Sequence, residues 1–347
     1  MVRKLPGTVT LGAGAVLAGL VLGAGAAEAA DVTVTAYGGI WEKAIRECYV
    51  AAFEKKTGKT AAVVLGGPVQ WVNQDAANPS APPIHVLMNQ IDNAFDAIKR
   101  GVAAKFDPAK IPELKNVPEK FQTLVKGYGT VINYGAAGLI YNTKTVKNPP
   151  KSWKEFVDRT LKGEWQAGLP GIGYAGTPQI VIWNFADLYG GSLDNIEPGL
   201  AKIKELKASG HAVFWNDVNE PLNMLKSGDI DIALYWDGRT WAFHDSGNDF
   251  ASFDNPAPGS VMNPVVIQVA KNSPPAAWDY VNVALSPSPQ ACFGNMLQYG
   301  VVNKDVKYDA KVAPRITDWT KTRWPPFEQM PAHLSKWVEQ WNKEIGG

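Results

Sequence analysis

The chain has 347 residues, with 34 basic and 33 acidic side chains and a formal net charge of +1. That length can hold two domains with proper cores, and the near-neutral balance without a basic block excludes nucleic acid as an expected partner. A core absorbs most of the thirteen tryptophans, and the rest are expected on a binding surface, where an indole offers a large flat contact and one donor.

The chain opens with a targeting pattern. Arg3 and Lys4 form a positive start, Leu5 to Ala27 carries no charge, and Ala27-Glu28-Ala29 supplies small residues for cleavage before Ala30. A membrane anchor is the alternative that 23 uncharged residues allow, but the glycines, the proline and the cleavage site favour an export signal. Residues 1–29 are therefore read as a signal peptide removed near Ala29/Ala30. Its loss takes away Arg3, Lys4 and Glu28 and leaves 32 basic and 32 acidic residues. Cys48 and Cys292 are the two cysteines. In an oxidising compartment they form one disulfide or stay as two buried thiols, and spacing alone does not choose.

Asp31 to Tyr37 alternates as a strand and ends at Gly38-Gly39; Ile40 to Thr57 has a helical apolar stripe. Lys59 to Leu65 is a second strand, Val69 to Ala77 a short helix, His85 to Asn89 a third strand and Asp92 to Arg100 a helix. This βαβαβ order with apolar strands predicts a mostly parallel sheet, in which ligands collect beyond the strands' carboxyl ends. Val131 to Thr143 is the longest strand pattern, with Gly135, Ala136, Ala137 and Gly138 small enough for close backbone packing. It reads as a crossover between two lobes. A second series follows, with helices at Ser152 to Thr160, Gln179 to Tyr189, Leu200 to Ser209 and Asp217 to Ser227. Asp217 is the expected N-cap of the last, with Glu220 at the capping-box spacing. Ile230 to Trp236 is a strand running into a loop at Asp237-Gly238-Arg239, and Val261 to Ala270 is a returning strand. Helices at Ala276 to Leu285, Pro289 to Tyr299 and Leu334 to Glu344 complete the chain.

No nucleotide-binding, zinc-protease or serine-hydrolase motif occurs, and Gly12-Ala13-Gly14 lies in the leader. His85, His211, His244 and His333 show no metal-ligand spacing, so no catalytic site, metal or cofactor is expected. Aromatic and polar residues gather instead at predicted strand ends: Tyr37 and Trp41 at the first, and Trp236, Asp237, Arg239 and Trp241 after Ile230. An aromatic wall with a charged group suits a small ligand held between lobes.

GLIYNTKTVKNPPKSWKEF, SGDIDIALYWDGR, PVVIQVAKNSPPAAWDYVNVALSP and YGVVNKDV together resemble periplasmic solute-binding proteins of ABC importers, the spermidine/putrescine-binding group in particular, across most of the chain after the leader. The resemblance implies an α/β, two-lobed type II binding-protein fold: a first lobe from 30–134, a second from 135–262, and a return to the first over 263–347. It also implies a periplasmic monomer that captures a small solute and docks to a membrane permease. Carried over by position, Tyr37, Asn89, Asp92 and Trp236 fall in ligand-contact regions, and Glu220 approaches from the second lobe.

The chain departs from that group at the ligand. Arg239 stands where polyamine binders place an acid. A guanidinium repels a polycation but grips a carboxylate or phosphonate bidentately. The expectation is an organic anion or zwitterion, with Asp237 able to meet a positive end. A polyamine ligand is the alternative, as is Arg239 paired with Asp237 or Asp245 away from the ligand. A secreted enzyme is the reading of another class, and it lacks a nucleophile–base pair.

Overall fold

The computed structural model describes residues 30–346. The predicted signal peptide lies outside these residues. Ten strands form one hydrogen-bonded sheet: β1 (Val32–Ala36), β2 (Ala61–Leu65), β3 (Val86–Gln90), β4 (Thr130–Asn142), β5 (Ala167–Pro170), β6 (Ala212–Trp215), β7 (Ile232–Trp236), β8 (Ala251–Asp254), β9 (Val261–Val269) and β10 (Gly300–Val301). The order is β2-β1-β3-β9-β4-β7-β5-β6, with β8 and β10 both on β4. At one end β2, β1 and β3 run parallel, and at the other so do β7, β5 and β6. The antiparallel strands β9 and β4 stand between them. Each parallel trio follows from its βαβ order, since parallel neighbours need a crossover helix.

Two cores flank the crossing strands. The first gathers Val34, Phe53, Val131, Ile132, Tyr134, Ile267 and Phe293, and the second Leu139, Trp153, Phe185, Leu234 and Val261. β4 leaves the first core after Tyr134 and enters the second at Ala137; β9 passes back between Val261 and Met262. This is the two-lobed arrangement expected. A proline in a central strand is tolerated because β3 ends with Gln90 opposite Val265, which leaves Pro264 without a neighbour on that side.

Several elements differ from their expected form. The helix over 40–57 and that over 178–188 each contain a π-helical stretch, Ile45–Val50 and Pro178–Trp183. Cys48 lies in the first of these and is bonded to Cys292, with Cα atoms 5.5 Å apart. Asp237-Gly238-Arg239 is not a loop: β7 runs directly into the helix Asp237–Asp245. Gly238 signals a close approach there and no turn, because a Cβ would stand 2.6 Å from the Tyr299 ring. Asp217 does not cap its helix, which begins at Glu220 after Asn219; Asp217 instead accepts from the Asn219 amide at 2.8 Å in a preceding turn. The strand β8 was not foreseen. The helix expected to reach Tyr299 ends at Leu297, where Gln298 adopts a left-handed conformation (φ 55°) and turns the chain into β10. The C-terminal helix Leu334–Glu344, assigned by sequence to the return into the first lobe, buries Trp337 and Trp341 in the second core.

Candidate functional site

A cleft of roughly 450 Å³ opens between the two cores, with Asn133, Gly135, Asn263 and Val265 of the crossing strands in its lining. Regular structure brings the other lining residues there. Gly38 and Trp41 lie at the start of the 40–57 helix, Pro68 opens the helix Pro68–Ala77, and Asp92 sits in the first turn of the helix Ile91–Lys99. Gly176 and Gln179 flank the start of the 178–188 helix, and Trp236 and Arg239 flank that of the helix Asp237–Asp245. Five helix N-termini therefore meet one cavity. Their unpaired amides and positive dipole ends favour an anion.

Aromatic rings wall both sides. Tyr37 packs edge-on against Trp41 with centroids 5.1 Å apart, and its hydroxyl donates to the Met88 carbonyl at 3.0 Å. Trp41 also contacts Phe293 and Tyr299. Opposite them, Trp236 Nε1 donates to the Tyr174 hydroxyl at 2.7 Å, and Tyr174 rests on Trp215. Burial raises the pKa of Tyr37 and Tyr174, with a smaller push on Tyr37 from the charge of Asp92, so these hydroxyls stay protonated.

Two charges face the cavity. Arg239 is exposed to it and has no carboxylate partner among the described residues. The acids that sequence offered it are engaged elsewhere: Asp245 pairs with Lys311 at 2.8 Å and Arg315 at 2.9 Å, and Asp237 accepts from the Thr317 hydroxyl at 2.8 Å. Asp92 lines the same cleft. Its side chain is open to the cavity, yet the surrounding protein desolvates it and raises its carboxyl above the ordinary value.

Of the sequence-predicted contacts, Tyr37, Trp41, Asp92, Trp236 and Arg239 are brought together. Three are not part of the lining. Asn89 is buried in the first lobe, donating to Gln268 at 2.9 Å. Asp237 is buried behind the cleft, and the carboxylate of Glu220 accepts from the Asn216 amide at 2.9 Å. Sequence reasoning missed Tyr174, Gln179, Asn133, Asn263 and Tyr299. Tyr174, beside glycines after a strand, carried a readable signal; Tyr299, placed inside a helix, carried none.

A family model described as bacterial extracellular solute-binding protein matches residues 82–333. A Salmonella typhimurium protein, provisionally named a 2-aminoethylphosphonate-binding periplasmic protein, is 24% identical over 311 residues, covering 84% of this chain and 85% of its own. A structure from Bordetella parapertussis, provisionally described as an extracellular solute-binding protein, superposes with a TM-score of 0.83 at 27% identity, covering 90% of this chain and 98% of that one. An ABC transporter structure from Clostridium perfringens gives 0.77 at 22% identity, over 90% and 99% of the two chains.

Proposed function

The chain belongs to the bacterial extracellular solute-binding protein family, and from that premise we propose that its cleft captures a small organic zwitterion with a phosphonate or carboxylate group. Arg239 grips the anionic end and Asp92 meets the cationic end. The observation that carries this reading is Arg239, a guanidinium facing the cavity with no carboxylate partner among the described residues. A fork of donors beside helix N-termini suits a tetrahedral or planar oxyanion. The Salmonella relative named for 2-aminoethylphosphonate supports the same chemistry, since that molecule joins a phosphonate to an ammonium group. A polyamine has no anionic group to offer Arg239 and is the weaker reading.

The protein then acts as the periplasmic, monomeric component of an ABC importer, releasing its solute unchanged to a membrane permease, and it catalyses no reaction. Residues 30–134 with the stretch between 262 and the C-terminal helix form the first lobe, 135–262 with the C-terminal helix form the second, and β4 and β9 are the hinge. Small-angle scattering that shows no compaction with a bound solute would rule out closure. The ligand class is tested by thermal unfolding of residues 30–347 with 2-aminoethylphosphonate, 4-aminobutanoate and spermidine. A ligand at a hundred times its Kd adds about 2.7 kcal/mol. We expect a rise with a zwitterion that disappears in Arg239→Ala; a rise with spermidine alone overturns the reading.

A further inference from the structure

We infer that Arg315 is a positioning residue for solute capture: from the first-lobe side it holds the far end of the helix Asp237–Asp245, and through that helix it sets where Arg239 stands in the cleft. The inference rests on the reading above that Arg239 grips the solute's anionic group. The helix belongs to one core and is held by the other. It continues directly from β7, and Trp236 and Phe243 pack with the second core. The stretch around Arg315 lies on the opposite side. Tyr308 and Trp319 pack against the first core, and the Trp319 ring stands 4.9 Å from that of Phe121.

The two sides meet in a closed ring of hydrogen bonds. Arg315 Nη1 donates to the Asp245 carboxylate at 2.9 Å and to the Gln298 side-chain carbonyl at 2.7 Å, and Gln298 Nε2 donates to the same carboxylate at 2.8 Å. The guanidinium also lies over Trp241, 4.7 Å from its ring centroid. Trp241, which the sequence groups with the ligand-facing aromatics, is not among the cleft-lining residues and makes this contact instead. The Arg315 side chain is 12% exposed, against 64% for Lys311, the other cation on Asp245. Exposed pairs contribute little, so Arg315 is the partner that fixes Asp245. A planar fork that bonds two acceptors and stacks on a ring has a geometry that a lysine does not reproduce.

Two residues further on, the Thr317 hydroxyl donates to Asp237, the first residue of the same helix. The stretch 315–317 therefore holds both ends of a nine-residue helix, and Arg239 lies between the two points, open to the cleft. At a rise of about 1.5 Å per residue, Asp245 stands roughly 9 Å along the axis from Arg239. Without its far anchor the helix can pivot about Asp237 and carry Arg239 with it, whereas a binding group works best when held to within about 0.5 Å.

The test is a double-mutant cycle on solute affinity, read by calorimetric titration of residues 30–347 with 2-aminoethylphosphonate. Arg315→Gln should weaken binding at least fivefold with Arg239 in place. In an Arg239→Lys background, where a flexible ammonium re-aims itself, the loss should be less than twofold. Should Arg315→Gln fail to fold, Asp245→Asn breaks the same pair from the other side at constant size, and it should show the same dependence on Arg239. An equal loss in both backgrounds, or no loss in either, overturns the inference and assigns the cluster to stability alone. If wild type does not bind 2-aminoethylphosphonate, or Arg239→Ala binds it equally well, the reading of the cleft itself falls and takes the inference with it.

Discussion

Tyr299 is clamped against Gly238: a Cβ built on that glycine would stand 2.6 Å from the ring's Cε1, and one built on Gly135 would meet the same atom at 2.6 Å. The ring thus fills the corner between β4 and the helix Asp237–Asp245, and from there it lines the cleft. In Gly238→Ala the helix gains up to about 1 kcal/mol in intrinsic propensity, but overpacking costs about 1–3 kcal/mol. We expect net destabilisation of about 1 kcal/mol in chemical denaturation and weaker solute binding, as Tyr299 is pushed into the cavity. A variant as stable as wild type would mean that the ring swings aside freely.

The Trp236–Tyr174 hydrogen bond fixes the second-lobe wall. Trp236 is only 6% exposed, and the Tyr174 hydroxyl is its indole's acceptor at 2.7 Å. Tyr174→Phe keeps the ring on Trp215 and removes only that acceptor. An unpaired buried donor costs about 1–3 kcal/mol, and cleft water reduces the loss toward the lower figure. The expected result is a stability loss of about 1 kcal/mol with a changed tryptophan emission spectrum. An unchanged spectrum and stability would show that the indole finds another acceptor.

Much of this arrangement was legible in the chain. The two βαβ series and the long strand with small residues led to two lobes and a crossover, because periodicity and glycine placement are local signals. Trp236 and Arg239 were legible as site residues because they cluster at a strand end. Asn133 and Tyr299 were not, for different physical reasons. Asn133 depends on a bulge set by pairing with β9, some 130 residues later, and by Gln290. Tyr299 depends on one left-handed residue, Gln298, in a stretch whose composition continues the helical pattern. Asp237 stands in a polar and aromatic cluster at a strand end and Asn89 in a region that the resemblance marks for ligand contact, but both are turned away from the cavity.

The Cys48–Cys292 bond closes a loop with a sequence separation of 244. Both residues pack with the first core, so the crosslink restrains a core assembled from Val32–Tyr134 and Met262–Val302. Loop-closure entropy for so long a loop gives about 5 kcal/mol as an upper figure. The Cys48→Ser/Cys292→Ser double variant should therefore unfold at a markedly lower denaturant concentration, and a reductant should lower wild type to a similar midpoint. An unchanged midpoint in both would show that the unfolded chain gains little freedom from the cut.

Asp237 gives the fold a pH signature. Burial raises its carboxyl from an ordinary 3.8 to about 6, against the lowering effect of the Thr317 hydroxyl and the backbone amides of Ala136 and Gly238. Between those two values the folded protein keeps a proton that the unfolded chain releases. Stability from this group therefore falls as pH rises from about 3.8 to about 6, and is flat on either side. The two-unit difference corresponds to roughly 3 kcal/mol. Asp237→Asn keeps the size and a hydrogen-bonding amide but has nothing to ionise. Its stability relative to wild type should climb between pH 4 and pH 6 and then level off. Asp75 and Asp92 are also raised by burial, but they contribute equally to both proteins and cancel in the difference. A difference that stays constant across this range would mean that the donors around Asp237 offset its burial and keep the carboxylate ionised in the fold.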